Sequence, residues 1–217
     1  MRFHFKDIAP YLIMMLKGIG VNFTAATIAL LFGIILGLCA YSAKKSTVKP
    51  LQIVANAYIE IVRNTPLLVQ LYLIYFGIAQ MGINMTPLQS TMIAMIFNSG
   101  AYISEIMRSG FQSVSSGTIE AGHALGMSNW QVFTYIRLKP AFRSAFPALI
   151  NQYVLMFLGS TVASTISLHE LMYQTLYIES VTARTVEAFL ITGVLFYVSS
   201  FIIINILRKS ERIIFKW

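Results

Sequence analysis

The residues with the most chemical potential in this chain lie inside its apolar runs. The stretch Glu60-Ile61-Val62-Arg63-Asn64-Thr65-Pro66-Leu67-Leu68-Val69-Gln70 sets two charges and a proline among apolar neighbours. Pro66 has no N–H to donate and crowds the carbonyl of Val62, so a helix here must kink or open between Arg63 and Thr65. Asn98-Ser99-Gly100-Ala101-Tyr102 repeats the theme, with Glu105 and Arg108 beyond it, and Gly159-Ser160-Thr161 repeats it again, with Ser164 and Thr165 a turn later. Loosened backbone beside amide and hydroxyl side chains holds a ligand by hydrogen bonds. It does not make a catalytic centre, and no nucleophile with a matching base stands out. His123 and His169 are isolated from any second ligand at metal spacing and read as surface residues, and no G-x-x-x-x-G-K-[ST] run is present to hold ATP.

The elements that position these groups are membrane helices. The chain has 217 residues, is 57% hydrophobic and 11% charged, and has a mean hydropathy of +0.70, far more apolar than a soluble domain. It reads as one all-α integral membrane domain with five transmembrane helices, over about 19–41, 51–80, 88–112, 145–168 and 187–207, and a two-helix insertion over 116–140. Residues 1–18 read as an amphipathic helix in the interface, with Pro10 early in it. The first apolar run, followed at once by Lys44 and Lys45, suits a stop-transfer span better than a signal peptide. Within it Gly33-x-x-x-Gly37 permits close helix approach, for packing inside the chain rather than for a dimer seam. Cys39 is the only cysteine, which excludes an internal disulfide.

The net charge of +8 would suggest nucleic acid in a soluble protein, but here the cations gather at alternate helix ends. Lys44, Lys45, Lys49, Arg108, Arg137, Lys139, Arg143, Arg208, Lys209, Arg212 and Lys216 share one side, against Arg2, Lys6, Lys17 and Arg184 on the other. The positive-inside rule then puts the insertion and the C-terminus in the cytoplasm and the N-terminus outside.

Counting at about 1.5 Å per residue places Thr65, Ser99 and Ser160 at one depth. Taken singly, such patches favour helix packing; their common level favours a ligand site near the midplane. The candidate binding residues are Glu60, Arg63, Asn64, Thr65, Asn98, Ser99, Gly100, Glu105, Ser160 and Thr161. A central arginine costs roughly 2.5–3.5 kcal/mol on insertion scales, so Arg63 needs a partner. That partner is either Glu60 and Glu105 or a substrate carboxylate.

The insertion opens the stretch Ser116 to Phe146, SGTIEAGHALGMSNWQVFTYIRLKPAFRSAF, the longest part of the chain unfit for lipid. Gly126 stands where a helix from about Thr118 needs a C′ glycine, and Ser128 with Gln131 forms a capping box for a second helix. Glu120-Ala121-Gly122 followed by Gly126, Ile136 and Leu138 resembles the cytoplasmic EAA loop, E-A-A-x3-G-x9-I-x-L-P, of permease subunits of bacterial ABC importers. Gly122 replaces the second alanine, and Lys139 takes the proline position, with Pro140 one residue late. The stretches Glu60-x-x-Arg63-x-Thr65-Pro66-Leu67-Leu68-Val69-Gln70 and Ala101-Tyr102-x-x-Glu105-x-x-Arg108-x-Gly110 are similar to signatures of the polar amino acid permeases. Arg184-Thr185 is similar to members that handle arginine or histidine. Leu158 stands where that branch often has a lysine.

The resemblance implies a type I ABC importer permease in the bacterial inner membrane that carries a polar, including a cationic, amino acid by alternating access. It implies a second permease chain, identical or homologous, a dimer of ATP-binding ATPase subunits that use the ATP, and an external solute-binding protein. This chain would bind no cofactor itself. Glu120, Ala121, Gly122, Ala124, Leu125, Gly126 and Met127 would form the ATPase-coupling surface. On the residues alone, an ion-coupled carrier or channel working without ATP, or a membrane scaffold that recruits a soluble partner, also stands, and 116–140 equally suits a hairpin lying on the bilayer.

Overall fold

The computed structural model describes residues 3–215, so Arg2 and Lys216 of the charge count lie outside the described residues. Two 3₁₀ turns, Phe5–Asp7 and Ala9–Tyr11, lead into α1 (Leu12–Lys44). Then come α2 (Lys49–Arg63), α3 (Leu67–Gln80), α4 (Pro87–Gln112), α5 (Ser116–Ala124), α6 (Asn129–Ile166), α7 (Leu171–Thr182) and α8 (Thr185–Ile214).

The central element is α4, which packs against α1, α2, α3 and α6. Thr86 and Gln89 close a capping box at its start, and Pro87 occupies the first turn, where a missing N–H costs nothing. The glycines of α1 let α4 approach: a Cβ on Gly33 would fall on Ser99 Oγ, and one on Gly37 would lie 2.8 Å from Ile103 Cγ2 and 2.9 Å from the Gly100 carbonyl. The Gly-x-x-x-Gly pair thus serves packing within the chain. By length and composition three helical stretches can cross a membrane, Phe5–Lys44, Asn129–Ile166 and Thr185–Ile214, and α2 with α3 makes a fourth if counted as one broken span. The 26 residues of α4 reach about 39 Å but carry buried Ser90, Thr91, Asn98, Ser99 and Ser104. Enclosed by protein, α4 does not need the apolarity that lipid contact demands.

Several boundaries differ from the sequence reading. Residues 12–18 belong to the long α1 rather than to a separate interfacial helix, because Ile8 and Met15 are buried against Leu171, Ile178 and Ala188. The Arg184 Nε to Asp7 Oδ2 ion pair at 2.9 Å and the His4 backbone N–H donated to Glu187 Oε1 at 3.0 Å tie this segment to the α7–α8 connection. The expected span over 51–80 is two helices meeting at 110°. The second helix of the insertion does not end: it widens to a π turn over Val132–Leu138, passes Pro140 and continues as α6, whose last turn, Ser160–Ile166, is 3₁₀. The connection before Glu187 contains α7, opened by Glu170, whose carboxylate caps the Met172 and Tyr173 N–H groups.

Candidate functional site

The break between α2 and α3 is built from its own side chains. Pro66 (φ −61°, ψ 142°) turns the chain out of helix and leaves the Val62 carbonyl without its i+4 donor. Gln70, one turn into α3, supplies the substitute: its Nε2 donates to the Val62 carbonyl at 2.8 Å, the Thr65 carbonyl at 3.0 Å and Thr65 Oγ1 at 2.9 Å. Thr65 Oγ1 donates to the Ile61 carbonyl at 2.9 Å, and Asn64 Nδ2 to the Glu60 carbonyl at 2.8 Å. Gln70 Oε1 then accepts from Asn98 Nδ2 at 3.1 Å, fastening the break to α4. Gln70 was absent from the candidate residues; its position four after Pro66 is the signal that could have found it.

Toward the other end of α4 lies an ionic cluster. Glu105 Oε1 takes Lys44 Nζ at 2.8 Å, and Oε2 takes Arg108 Nε at 2.7 Å and faces Arg63 Nη1 at 3.9 Å. Arg63 also lies over the Tyr102 ring, 5.5 Å from its centroid. The network expected from Glu60, Arg63 and Glu105 therefore has other members. The Glu60 side chain is on the exposed face of α2 with no ion-pair partner among the described residues, and Lys44 and Arg108 take its place. Arg63, Tyr102 and Glu105 border a cavity of about 310 Å³ between α4 and α6, closed by Ser144, Ala145 and Ala148.

The remaining candidates face elsewhere. Ser99 Oγ donates to the Ala29 carbonyl of α1 at 2.7 Å, and Gly100 is covered by Tyr58 and Leu36. Ser160 is buried and accepts from Asn22 Nδ2 at 2.8 Å, while Asn22 also donates to Glu170 Oε2 at 2.8 Å and accepts the Leu171 N–H at 3.0 Å. Glu170 stands in the connector outside the spanning helices; burial pushes its carboxyl above the usual range, against the pull of the Asn22 amide and the Met172 and Tyr173 N–H groups. Thr161 is partly exposed, with its hydroxyl donated to the Leu158 carbonyl at 2.8 Å. The three patches do not share one cavity. The break meets the Gly159 patch at Leu67, whose Cδ2 lies 3.5 Å from where a Gly159 Cβ would stand, and the Asn98 patch through Gln70.

The insertion presents a nearly bare surface. Glu120, Ala121, His123 and Ala124 are exposed, and Leu125 is 83% exposed. Gly126 (φ +78°) gives the left-handed turn that ends α5, and the capping box forms, with Gln131 N–H on Ser128 Oγ at 3.3 Å and Ser128 N–H on Gln131 Oε1 at 2.8 Å. Gly122 is the buried face of α5: a Cβ there would fall on Ile136 Cδ1, with Val132 Cγ2 3.3 Å away. Glycine here lets Ile136 and Val132 lie close on α5, although the Ile136 tip could turn aside for an alanine. Lys139 is exposed within the continuous helix, and nothing in the structure explains why it stands in place of proline.

Long apolar helices with a broken segment bound to a central polar helix, and an exposed helical turn beyond it, are the build of a multi-pass membrane protein. The chain belongs to the family of binding-protein-dependent transport system inner membrane components, which matches residues 29–212. It is 34% identical to the nopaline transport system permease protein of Agrobacterium fabrum over 91% of this chain and 86% of that one. It is 29% identical to the arginine transport system permease protein of Bacillus subtilis over 98% and 97% of the two chains. A solved structure described as an amino acid ABC transporter with histidines matches with TM-score 0.92 and 34% identity, over 98% of this chain and 99% of that chain. The chain is thus a multi-pass inner-membrane permease subunit of an ATP-driven importer, a transport subunit rather than an enzyme.

Proposed function

We propose that this permease carries a polar, including a cationic, amino acid, and that the substrate meets the α2–α3 break and Asn98 before passing the Arg63–Glu105 cavity. The observation that carries this reading is the Val62–Gln70–Asn98 chain of hydrogen bonds, which keeps opened backbone and side-chain amides beside a cavity that holds both charge signs. Discontinuous helices in transporters offer such groups to charged and polar substrates. The arginine named for one relative and the histidines of the solved structure support the cationic class. In the family's arrangement two permease chains, identical or homologous, work with a pair of ATPase subunits that consume the ATP and with an external solute-binding protein. The N-terminus is outside and the C-terminus cytoplasmic, by the distribution of Lys and Arg. Exposed Glu120, Ala121, Ala124 and Leu125, with Gly126 and Met127 at the turn, receive the ATPase.

The test is uptake into vesicles by the reconstituted complex, with unlabelled amino acids in competition. Cationic amino acids should compete and aliphatic ones should not. Asn98→Ala and Thr65→Val should slow uptake while the complex stays assembled; if both transport at the wild-type rate, these residues only pack helices.

A further inference from the structure

We propose that an anionic phospholipid binds between the ends of α1, α2, α4 and the π turn of α6, its phosphate in a basic aromatic cleft and its acyl chains in an adjoining apolar groove. The cleft has a volume of about 440 Å³ and is lined by Tyr41, Lys45, Phe111, Gln112, Phe133 and Arg137 among others. None of its described lining residues is acidic, and two are cations. The Arg137 guanidinium lies over the Phe111 ring, 6.0 Å from its centroid, and its Nε is buried with no hydrogen-bond partner among the described residues. Tyr41 stacks on Phe111 at 5.2 Å between centroids and Phe111 on Phe133 at 6.0 Å, so the wall that orients the guanidinium is stiff. Arg137 borders the cleft, and a planar guanidinium matches a phosphate in two-point fashion.

The groove supplies the second half of the argument. It has a volume of about 790 Å³, is lined by Leu36, Ala40, Ala43, Leu51 and Val54 among others, and meets the cleft at Ser42, which borders both. A soluble phosphate uses only the cleft; a phospholipid fills both. Basic pockets between transmembrane helices at the cytoplasmic face hold anionic headgroups in this way. The inference rests on the proposed orientation only in assigning the lipid to the cytoplasmic leaflet.

The experiment is native mass spectrometry of the purified permease–ATPase complex titrated with phosphatidylglycerol or phosphatidylcholine. Phosphatidylglycerol should be retained preferentially, and Arg137→Gln and Lys45→Gln should each lower its retention about fivefold while leaving phosphatidylcholine unchanged. Val54→Trp, which fills the groove, should lower it as well. Lys45 is exposed, so its variant keeps the test alive if Arg137→Gln does not assemble. Equal retention of both lipids, or no loss in the Lys45 variant, overturns the proposal. Full displacement by millimolar inorganic phosphate overturns the lipid assignment in favour of a soluble anion. The readout is independent of transport, so a failure here and a failure of the amino acid reading are distinguishable.

Discussion

Replacing Gln70 with leucine tests the architecture of the break directly. The side chain keeps its volume but loses four contacts: donation to the Val62 and Thr65 carbonyls and Thr65 Oγ1, and acceptance from Asn98. Thr65 Oγ1 retains the Ile61 carbonyl and still reaches the Val62 carbonyl at 3.5 Å, so the groups left without a partner are the Thr65 carbonyl and Asn98 Nδ2. At about 1–3 kcal/mol for each orphaned buried group, and with Gln70 itself half-buried, the expected loss is about 2–4 kcal/mol. On the scale of a chain this size that lowers the melting temperature by about 4–16 °C. A double-mutant cycle sharpens the test. With Asn98→Leu added, the second substitution no longer strands an amide, so the pair should cost about 1 kcal/mol less than the sum of the single changes. Thermal unfolding of the detergent-solubilised complex and vesicle uptake are measured on all four proteins. An unchanged melting temperature with additive effects would refute the role given to Gln70.

The other expectations follow the same logic. Glu120→Lys, on the exposed face of α5, and Gly126→Pro, at φ +78° where proline cannot go, should leave membrane insertion intact but separate ATP hydrolysis from uptake; normal substrate-stimulated hydrolysis in both would sink the docking assignment. Gly33→Leu should drive α1 off Ser99 and destabilise the fold by at least about 2 kcal/mol, read as loss of the assembled complex at elevated temperature. Glu170→Gln puts an amide N–H₂ among the Asn22, Met172 and Tyr173 donors and should cost about 1–3 kcal/mol, loosening α7 enough to raise proteolysis between residues 167 and 184, whereas Glu179→Gln should not.

What the sequence made legible was what local chemistry determines. Pro66 announced the break and Gly126 with Ser128 and Gln131 announced the turn of the insertion, because each acts within a few residues of itself. The 110° angle at Pro66 was beyond reach, since it depends on Gln70 folding back and on Asn98 arriving from another helix. The α6 continuity was hidden for a related reason: Pro140 reads as a helix stop, and only the π turn before it carries the helix through. At the end of α7, Ala183 takes the left-handed conformation (φ +55°) where a glycine would have marked the stop, so α7 blended into a polar connector. Counting depth along ideal helices brought Thr65, Ser99 and Ser160 to one level, but depth says nothing of direction. Ser99 looks at α1 and Ser160 at Asn22.

That continuity of α6 matters for how the proposed cycle would run. The surface proposed to receive the ATPase, α5, rests through Gly122 on Val132 and Ile136, which are part of the 38-residue stretch Asn129–Ile166. This stretch is about 57 Å long if helical throughout, and its far end carries Gly159, against Leu67 at the start of α3. A displacement of α5 would therefore reach the α2–α3 break through one covalent helix, with no intervening loop to absorb it. The Pro140 and π-turn region is the compliant point along that path, and a stiffer helix there should tighten the link. Removing the proline, by Pro140→Ala, should thus leave assembly unchanged and raise the number of substrate molecules carried per ATP hydrolysed. A ratio that stays the same or falls would mean that coupling reaches the break by another route.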